Sequence, residues 1–250
     1  MKKNTVAIFL VVFFVCSQLA IAQHTSVNVQ GMGVLPISHA TLELTWKGKV
    51  ILFDPSVNDK TLADIKKPDI VFITDIHPDH LNADNLNKLK LNGTPIVAPQ
   101  AVADKLPEDL KKNLIVISNG ESKQWQGIKF EAIPMYNLPG ERQAYHTKGR
   151  GNGYVLTLGN KRVYISGDTE DIPEMRSLKN IDLAFVCMNL PYTMTVERAA
   201  DGVVAFSPKE VIPYHYRGGE GLSDIQKFKQ LVSQHKPGIN VRLLDFYPKD

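Results

Sequence analysis

Short apolar runs punctuated by Gly, Pro, Asn and Asp set the rhythm of this chain. Residues 70–74, Ile-Val-Phe-Ile-Thr, and residues 183–186 are continuous apolar stretches, the pattern of a strand covered on both faces. Residues 41–45 alternate instead, and Lys47-Gly48 predicts a tight turn into a strand over 50–53 that Asp54-Pro55 ends. A second hairpin is predicted where Gly159-Asn160 separates 154–158 from 162–165. Further strands are expected at 96–98, 114–117, 128–133 and 210–213. Asn82 is placed to cap a short helix ending at Leu89, ahead of Asn92-Gly93. Residues 99–110 look helical with a break at Pro107, and 195–206 have helical spacing. Ser223 is expected to cap a helix to Gln234, stopped by Pro237-Gly238. Each half repeats a hairpin followed by alternating strands and helices. That order predicts an α/β fold of two packed sheets with helices outside, undivided by any linker.

The amino end stands apart from this plan. Lys2 and Lys3 precede an apolar run over 6–15, and Ala20-Ile21-Ala22 is a small-x-small cleavage signal before Gln23. This predicts a secretory signal peptide over 1–22, a mature domain over 23–250, and a periplasmic or secreted protein. A membrane anchor fits less well, because a span needs ~20 apolar residues. Lipidation at Cys16 also fits less well, because Val15 stands where a small residue belongs. No stable membrane span is expected after cleavage. The mature chain would retain only Cys187, so no internal disulfide is expected, and its apolar setting predicts a buried side chain rather than a nucleophile.

Composition narrows the classes. The 250 residues are 43% hydrophobic and 22% charged, enough for a sizeable core. The net charge of +3 includes the leader lysines, and no basic stripe interleaves with aromatics, so no nucleic-acid partner is expected. The expected partner is a small-molecule substrate; a homo-oligomer is compatible with the sequence.

The candidate chemistry begins where the run 70–74 meets Asp75-Ile76-His77-Pro78-Asp79-His80. Four potential metal ligands fall within six residues at the carboxyl end of a predicted strand, where α/β proteins place their sites. Asp75 and His77 are two apart, so an extended backbone projects both to one side. Asp79 and His80 fall where the chain turns toward a helix. Imidazole and carboxylate suit Zn, Mn or Fe. Asp54, Asp168 and His215 also stand at predicted strand ends, and His146 lies in the loop before the second hairpin. His24 beside the cleavage site, His235 near a helix end, Trp46 and Trp125 carry no such signal. Tyr214 and Tyr216 flank His215, where packing is their default role.

Taken in order, these residues resemble the metallo-β-lactamase fold superfamily. Asp54, Asp75-x-His77-x-Asp79-His80, His146, Asp168 in Gly-Asp-Thr and His215 match its five motifs, with Asp75 standing where the pattern has His. Ser38-His39-Ala40-Thr41, Gly151-Asn152-Gly153-Tyr154, Tyr192-Thr193-Met194 and Ile212-Pro213-Tyr214-His215-Tyr216 resemble the branch of the L-ascorbate-6-phosphate lactonase and related metal-dependent hydrolases. The resemblance implies a four-layer αββα sandwich of two pseudo-symmetric halves. It implies two divalent ions, one on Asp75, His77 and His146, the other on Asp79, His80 and His215, with Asp168 bridging. Asp54 would orient ligands from behind. An oxygen ligand at Asp75 hardens the site and shifts preference from Zn toward Mn or Fe.

The resemblance further implies hydrolysis of a small ester, lactone or phosphoester by a metal-activated hydroxide, with Asp79 orienting the nucleophile. A phosphodiesterase on lipid-derived substrates, or a metal-binding scaffold weakened by Asp75, are the competing expectations. A β-lactamase with a Cys ligand fits poorly, because Cys187 lies inside an apolar run.

Overall fold

The computed structural model describes residues 25–219 and 221–248. The expected signal peptide over 1–22, with Cys16 and His24, lies outside the described residues. No helix among the described residues is long and apolar enough to cross a membrane.

Two seven-stranded sheets carry the fold. The first runs, in spatial and sequence order, through β1 (Val27–Val29), β2 (Met32–Ser38), β3 (Thr41–Trp46), β4 (Lys49–Phe53), β5 (Ile70–Phe72), β6 (Ile96–Ala98) and β7 (Leu114–Val116). The second contains β8 (Ser122–Trp125), β9 (Ile128–Met135), β10 (Gly151–Leu158), β11 (Lys161–Ile165), β12 (Leu183–Val186) and β13 (Glu210–Pro213), and closes with β16 (Asn240–Val241) beside β13. Between β13 and β16 in sequence, β14 (Arg217–Gly218) and β15 (Gly221–Leu222) form a separate small hairpin. In each large sheet four strands pair antiparallel up to β4 or β11, and the rest continue parallel. The two halves therefore share one plan, as the repeated sequence pattern predicts.

Period-two alternation sorts the side chains of the first sheet. Ile51, Phe53, Ile70 and Phe72 point into a core shared with Phe130 and Tyr154 of the second sheet. Leu52 and Val71 point the other way, onto Leu62 of α1 (Asp59–Asp64), Leu86 of α2 (Ala83–Lys88) and Val102 of α3 (Gln100–Lys105). Phe72 is central: it stacks on Phe53 at 5.1 Å between ring centroids and meets Tyr154 edge-on at 5.0 Å. On the far side, Met175 of α4 (Pro173–Arg176), Val203 of α5 (Val196–Phe206) and Phe228 of α6 (Ile225–His235) complete the helix layer. The result is the αββα layering that the sequence resemblance implies.

Local signals acted largely as written. Asn82 caps α2 by accepting from the Asn85 N–H, and Thr195 caps α5 by accepting from Arg198. Lys47 and Gly48 both take positive φ, the requirement of the tight β3–β4 turn. Two expectations shift. The cap of α6 is Asp224, whose carboxylate accepts from the Lys227 N–H, so Ser223 stands one residue outside. The strand expected over 70–74 ends at Phe72; Ile73 still donates to the Val97 carbonyl of β6 at 2.9 Å, and Thr74 then turns toward the site to bond Asp54. Strands β1, β2 and β8 and helices α1 and α4 were not signalled by the sequence pattern.

Candidate metal centre

The predicted site residues gather at one edge of the sandwich, most of them just past strand ends, with His146 in the loop ahead of β10. Asp54 follows β4, Asp75 follows β5, Asp168 follows β11 and His215 follows β13. Asp54 and His215 adopt left-handed backbone, φ +43° and +46°, as does His39 at +55°. Non-glycine residues rarely sit there, and packing must hold them. In the Ser166-Gly167-Asp168 turn, Gly167 has φ +59° and lies so close to Met135 that a Cβ would come within 2.5 Å of its sulfur. Only glycine lets this turn deliver Asp168.

His80 is the best-anchored imidazole. Its Nδ1 lies 2.9 Å from Asp54 Oδ2, and the same carboxylate accepts from the Thr74 N–H at 2.8 Å and the Thr74 hydroxyl at 2.6 Å. With the Nδ1 proton committed to Asp54, Nε2 is the atom turned to the site, and it offers a lone pair to a cation once its own proton is displaced. There it lies 3.4 Å from Asp168 Oδ2 and 3.3 Å from His215 Nε2. His146 follows the same logic with a neutral partner: Nδ1 sits 2.7 Å from Asn137 Oδ1, and Nε2 faces Asp168 Oδ2 at 3.3 Å. His215 Nε2 lies 3.2 Å from Asp168 Oδ1.

Two triads of donors emerge, each with its ligand atoms within 4.8 Å of one another: Asp75, His77, His146 and His80, Asp168, His215. A third combination joins Asp79 to His39 and His215 within the same limit. Asp79 Oδ2 is 3.2 Å from His39 Nε2 and 3.4 Å from His215 Nε2, while Oδ1 is 3.9 Å from His80. The geometry therefore sets Asp79 between His39 and the second triad. His39 itself is held by Tyr247, whose hydroxyl lies 2.8 Å from Nδ1.

The electrostatics fit a cation. Burial pushes the Asp168 carboxyl up, but His215 and His80 outweigh it and hold it well below the usual carboxylate range. Burial also opposes ionisation of Asp79 and Asp75; contacts with His215 and His39 lower the first, and His77, His80 and Arg150 lower the second. His80 is pushed well above the ordinary imidazole range despite burial, by Asp168 and Asp54, and His215 is raised by Asp168. Among the described residues, His146 Nε2 and Asp168 Oδ1 are buried side-chain atoms without a hydrogen-bond partner. Such atoms are costly unless something bonds them, and inward-facing imidazole and carboxylate are the donor set of Zn, Mn or Fe. The residues present fit a metal centre.

Above the triads lies a cavity of about 300 Å³, lined by His77, Pro78, Asp79, Tyr145, His146, Asp168, Asn189 and Tyr192. Tyr145 and Tyr192 meet edge-on at 5.2 Å and remain partly exposed at its rim. Sequence reasoning gave no role to Arg150, Asn137, Thr74 or Asn189. Arg150 binds Asp75 through both carboxylate oxygens, and Asn189 Nδ2 lies 3.3 Å from His215 Nε2. Arg150 and Asn189 act on residues 75 and 26 positions away, and Asn137 and Thr74 reach theirs across an irregular loop, so no regular spacing marked them.

Known proteins agree with this geometry. The profile of the beta-lactamase superfamily domain matches residues 36–215, well over half the chain. A UPF0173 metal-dependent hydrolase of Enterococcus faecalis is 30% identical over 74% of this chain and 86% of its own. Its counterpart in Thermoplasma acidophilum is 28% identical, over 82% of this chain and 92% of its own. Among solved structures, a candidate metal-dependent hydrolase of Parabacteroides distasonis superposes with a TM-score of 0.77 and 38% identity, covering 88% of this chain and 97% of that one. The chain belongs to the metallo-β-lactamase superfamily and is a metal-dependent hydrolase of it.

Proposed function

We propose that the protein is an exported dinuclear hydrolase of a small, uncharged ester or lactone. One observation carries the reading. Asp168 is a single buried carboxylate whose two oxygens lie within 3.4 Å of imidazoles from both triads: His146 of the first, His80 and His215 of the second. Such a carboxylate can serve a pair of ions. Asp75, His77 and His146 would hold one, His80 and His215 the other, with Asp79 beside them and Asp168 shared. A pair of divalent ions supplies a nucleophilic hydroxide near neutral pH and polarises the bond to be cleaved.

The protein's own groups do the rest. Asp79, partly exposed and ionised beside His39 and His215, would accept a hydrogen bond from the attacking hydroxide and fix its direction. Asp54 and Asn137 keep the His80 and His146 imidazoles in register. Tyr145 and Tyr192 give the substrate an apolar wall. None of the lining residues is Lys or Arg, which favours an uncharged substrate over a phosphoester. Either Zn or Mn suits the donors, with Asp75 favouring the harder ion. Export rests on Lys2, Lys3, the apolar run 6–15 and Ala20-Ile21-Ala22, and is checked by sequencing the amino terminus of protein made in its host.

Elemental analysis with a turnover screen tests the main reading. Two equivalents of metal and hydrolysis of neutral esters or lactones are expected. Asp168→Asn should lose metal from both positions and lower kcat/KM by at least ~10³-fold. A metal-replete protein that turns over only phosphodiesters would sink the substrate assignment.

A further inference from the structure

Asp75 is fully buried, yet it is an acid in a site that already holds Asp79 and Asp168. A third carboxylate facing the same small volume repels the other two and needs its own compensation. Arg150 supplies that compensation. Arg150 donates from Nε to Asp75 Oδ1 at 3.1 Å and from Nη2 to Oδ2 at 2.9 Å. The paired geometry fixes the plane of the carboxylate as well as its charge. Oδ2 is left facing the imidazoles, 2.7 Å from His77 Nδ1 and 3.9 Å from His146 Nε2.

The same guanidinium has a second grip. Nη2 also donates to the backbone carbonyl of Tyr145 at 2.6 Å, and the next residue is His146. Asp75 belongs to the first half of the chain and His146 to the second. Arg150 therefore ties together two donors of one triad that come from opposite halves of the sandwich. Among the described residues its hydrogen bonds and ion pair go to Asp75 and Tyr145, not to His80, Asp168 or His215.

We infer that Arg150 is the positioning residue of the first metal position, making the Asp75–Arg150 pair act there as a neutral, rigid oxygen donor. The inference rests on the dinuclear reading above. It predicts an effect confined to one of two ions. Lysine could supply the charge, but one ammonium cannot hold both carboxylate oxygens and the Tyr145 carbonyl in a planar fork. The backbone nearby is secured independently: Asn152 donates to the Thr74 carbonyl at 2.9 Å, and its side chain donates to the Ile117 carbonyl at 2.8 Å. Loss of Arg150 should leave the fold in place.

Zinc titration against a chelating dye, with thermal unfolding of the metal-free proteins alongside, tests this. Wild type should bind two equivalents. Arg150→Ala should bind one as wild type does and the other about 10–100-fold more weakly, with Arg150→Lys between them. In an Asp75→His background the sign should reverse, because a neutral imidazole beside Arg150 leaves the cation uncompensated; there Arg150→Ala should tighten zinc at that position. Equal weakening of both equivalents, or the same loss in both backgrounds, would overturn the inference while leaving the dinuclear reading intact. Failure of wild type to bind a second zinc would overturn both.

Discussion

The two donor triads share a cavity floor but are built differently. His80, Asp168 and His215 are buried, and His80 leans on the Asp54–Thr74 pair deeper in the protein. Asp75, His77 and His146 form a more open set. His77 keeps 37% of its side chain exposed, and the Arg150 clamp stands in place of a buried carboxylate behind an imidazole. The difference follows from the backbone. The second triad sits on turns braced from both sheets, with His215 N–H donating to the His39 carbonyl and Gly167 N–H to the Tyr214 hydroxyl. His77 sits on a turn exposed to solvent. A tightly built position suits a structural ion, and an open one suits the ion that meets substrate.

The largest effect that could break this contrast is expected at Asp54. Its carboxylate serves the Thr74 N–H, the Thr74 hydroxyl and His80 Nδ1, all buried. Asp54→Ala strands these groups and should destabilise the metal-free protein by about 3–5 kcal/mol. Metal at the second position should weaken by a further ~10–100-fold, with the first position little changed. Denaturant unfolding in chelator, followed by metal titration, measures both. Loss of the first ion instead would show that the triads are not independent.

Proton linkage offers a smaller handle on the same contrast. Burial works against the charged forms of His80 and His215, yet Asp168 and its neighbours raise both imidazoles. Raised imidazoles stabilise the metal-free protein fully below their ordinary range and lose that contribution as pH climbs through their folded values. Asp168, Asp79 and Asp75 are lowered, so their contribution is present above the ordinary carboxylate range and is lost on acidification. Asp54, raised by burial, opposes this on the alkaline side. The metal-free protein should therefore be most stable between about pH 4 and pH 6.5. Metal must displace the protons on His80 and His215, so the gain in Tm on adding metal should widen from pH 6 to pH 8. A gain that is flat with pH would mean the imidazoles are already neutral without metal.

How much of this was legible beforehand divides along the same line. The strand ends, the cluster 75–80 and the remaining ligands could be read because each is a local event: an apolar run, then an acid or imidazole. Asn82 was readable as a cap because a cap bonds within three residues, and the expectation for α6 missed its cap, Asp224, by one position. Arg150, Asn137 and Asn189 were not, because each acts on a side chain delivered by another element. The β1–β2 edge was missed for a related reason. Val27-Asn28-Val29 and Met32-Gly33-Val34 do alternate, but each run is short and broken by Gly31 and Gly33, and the pairing of Val27 with Val34 and of Gly33 with Thr45 is what makes them strand.

The smallest effect should come from chemical access, and it separates the two regions without mutation. Cys187 is buried beside the second triad, its N–H donating to the Ser166 hydroxyl one turn from Asp168. Burial, with the charge of Asp168, pushes its thiol up to about 12. At pH 8 the thiolate is scarce and the reagent is excluded, so iodoacetamide should label Cys187 only as fast as the protein unfolds. His77, half-exposed at the cavity wall, should react with diethylpyrocarbonate in the folded metal-free protein, and added metal should protect it. His77→Ala should accordingly cost less metal-free stability than Asp54→Ala, because the ring is partly exposed and Arg150 still holds Asp75 after the 2.7 Å contact is lost. It should still remove the first ion's exposed ligand. If Cys187 labels as readily as His77, the second triad opens on its own, and the division into a rigid position and an open one fails at its rigid end.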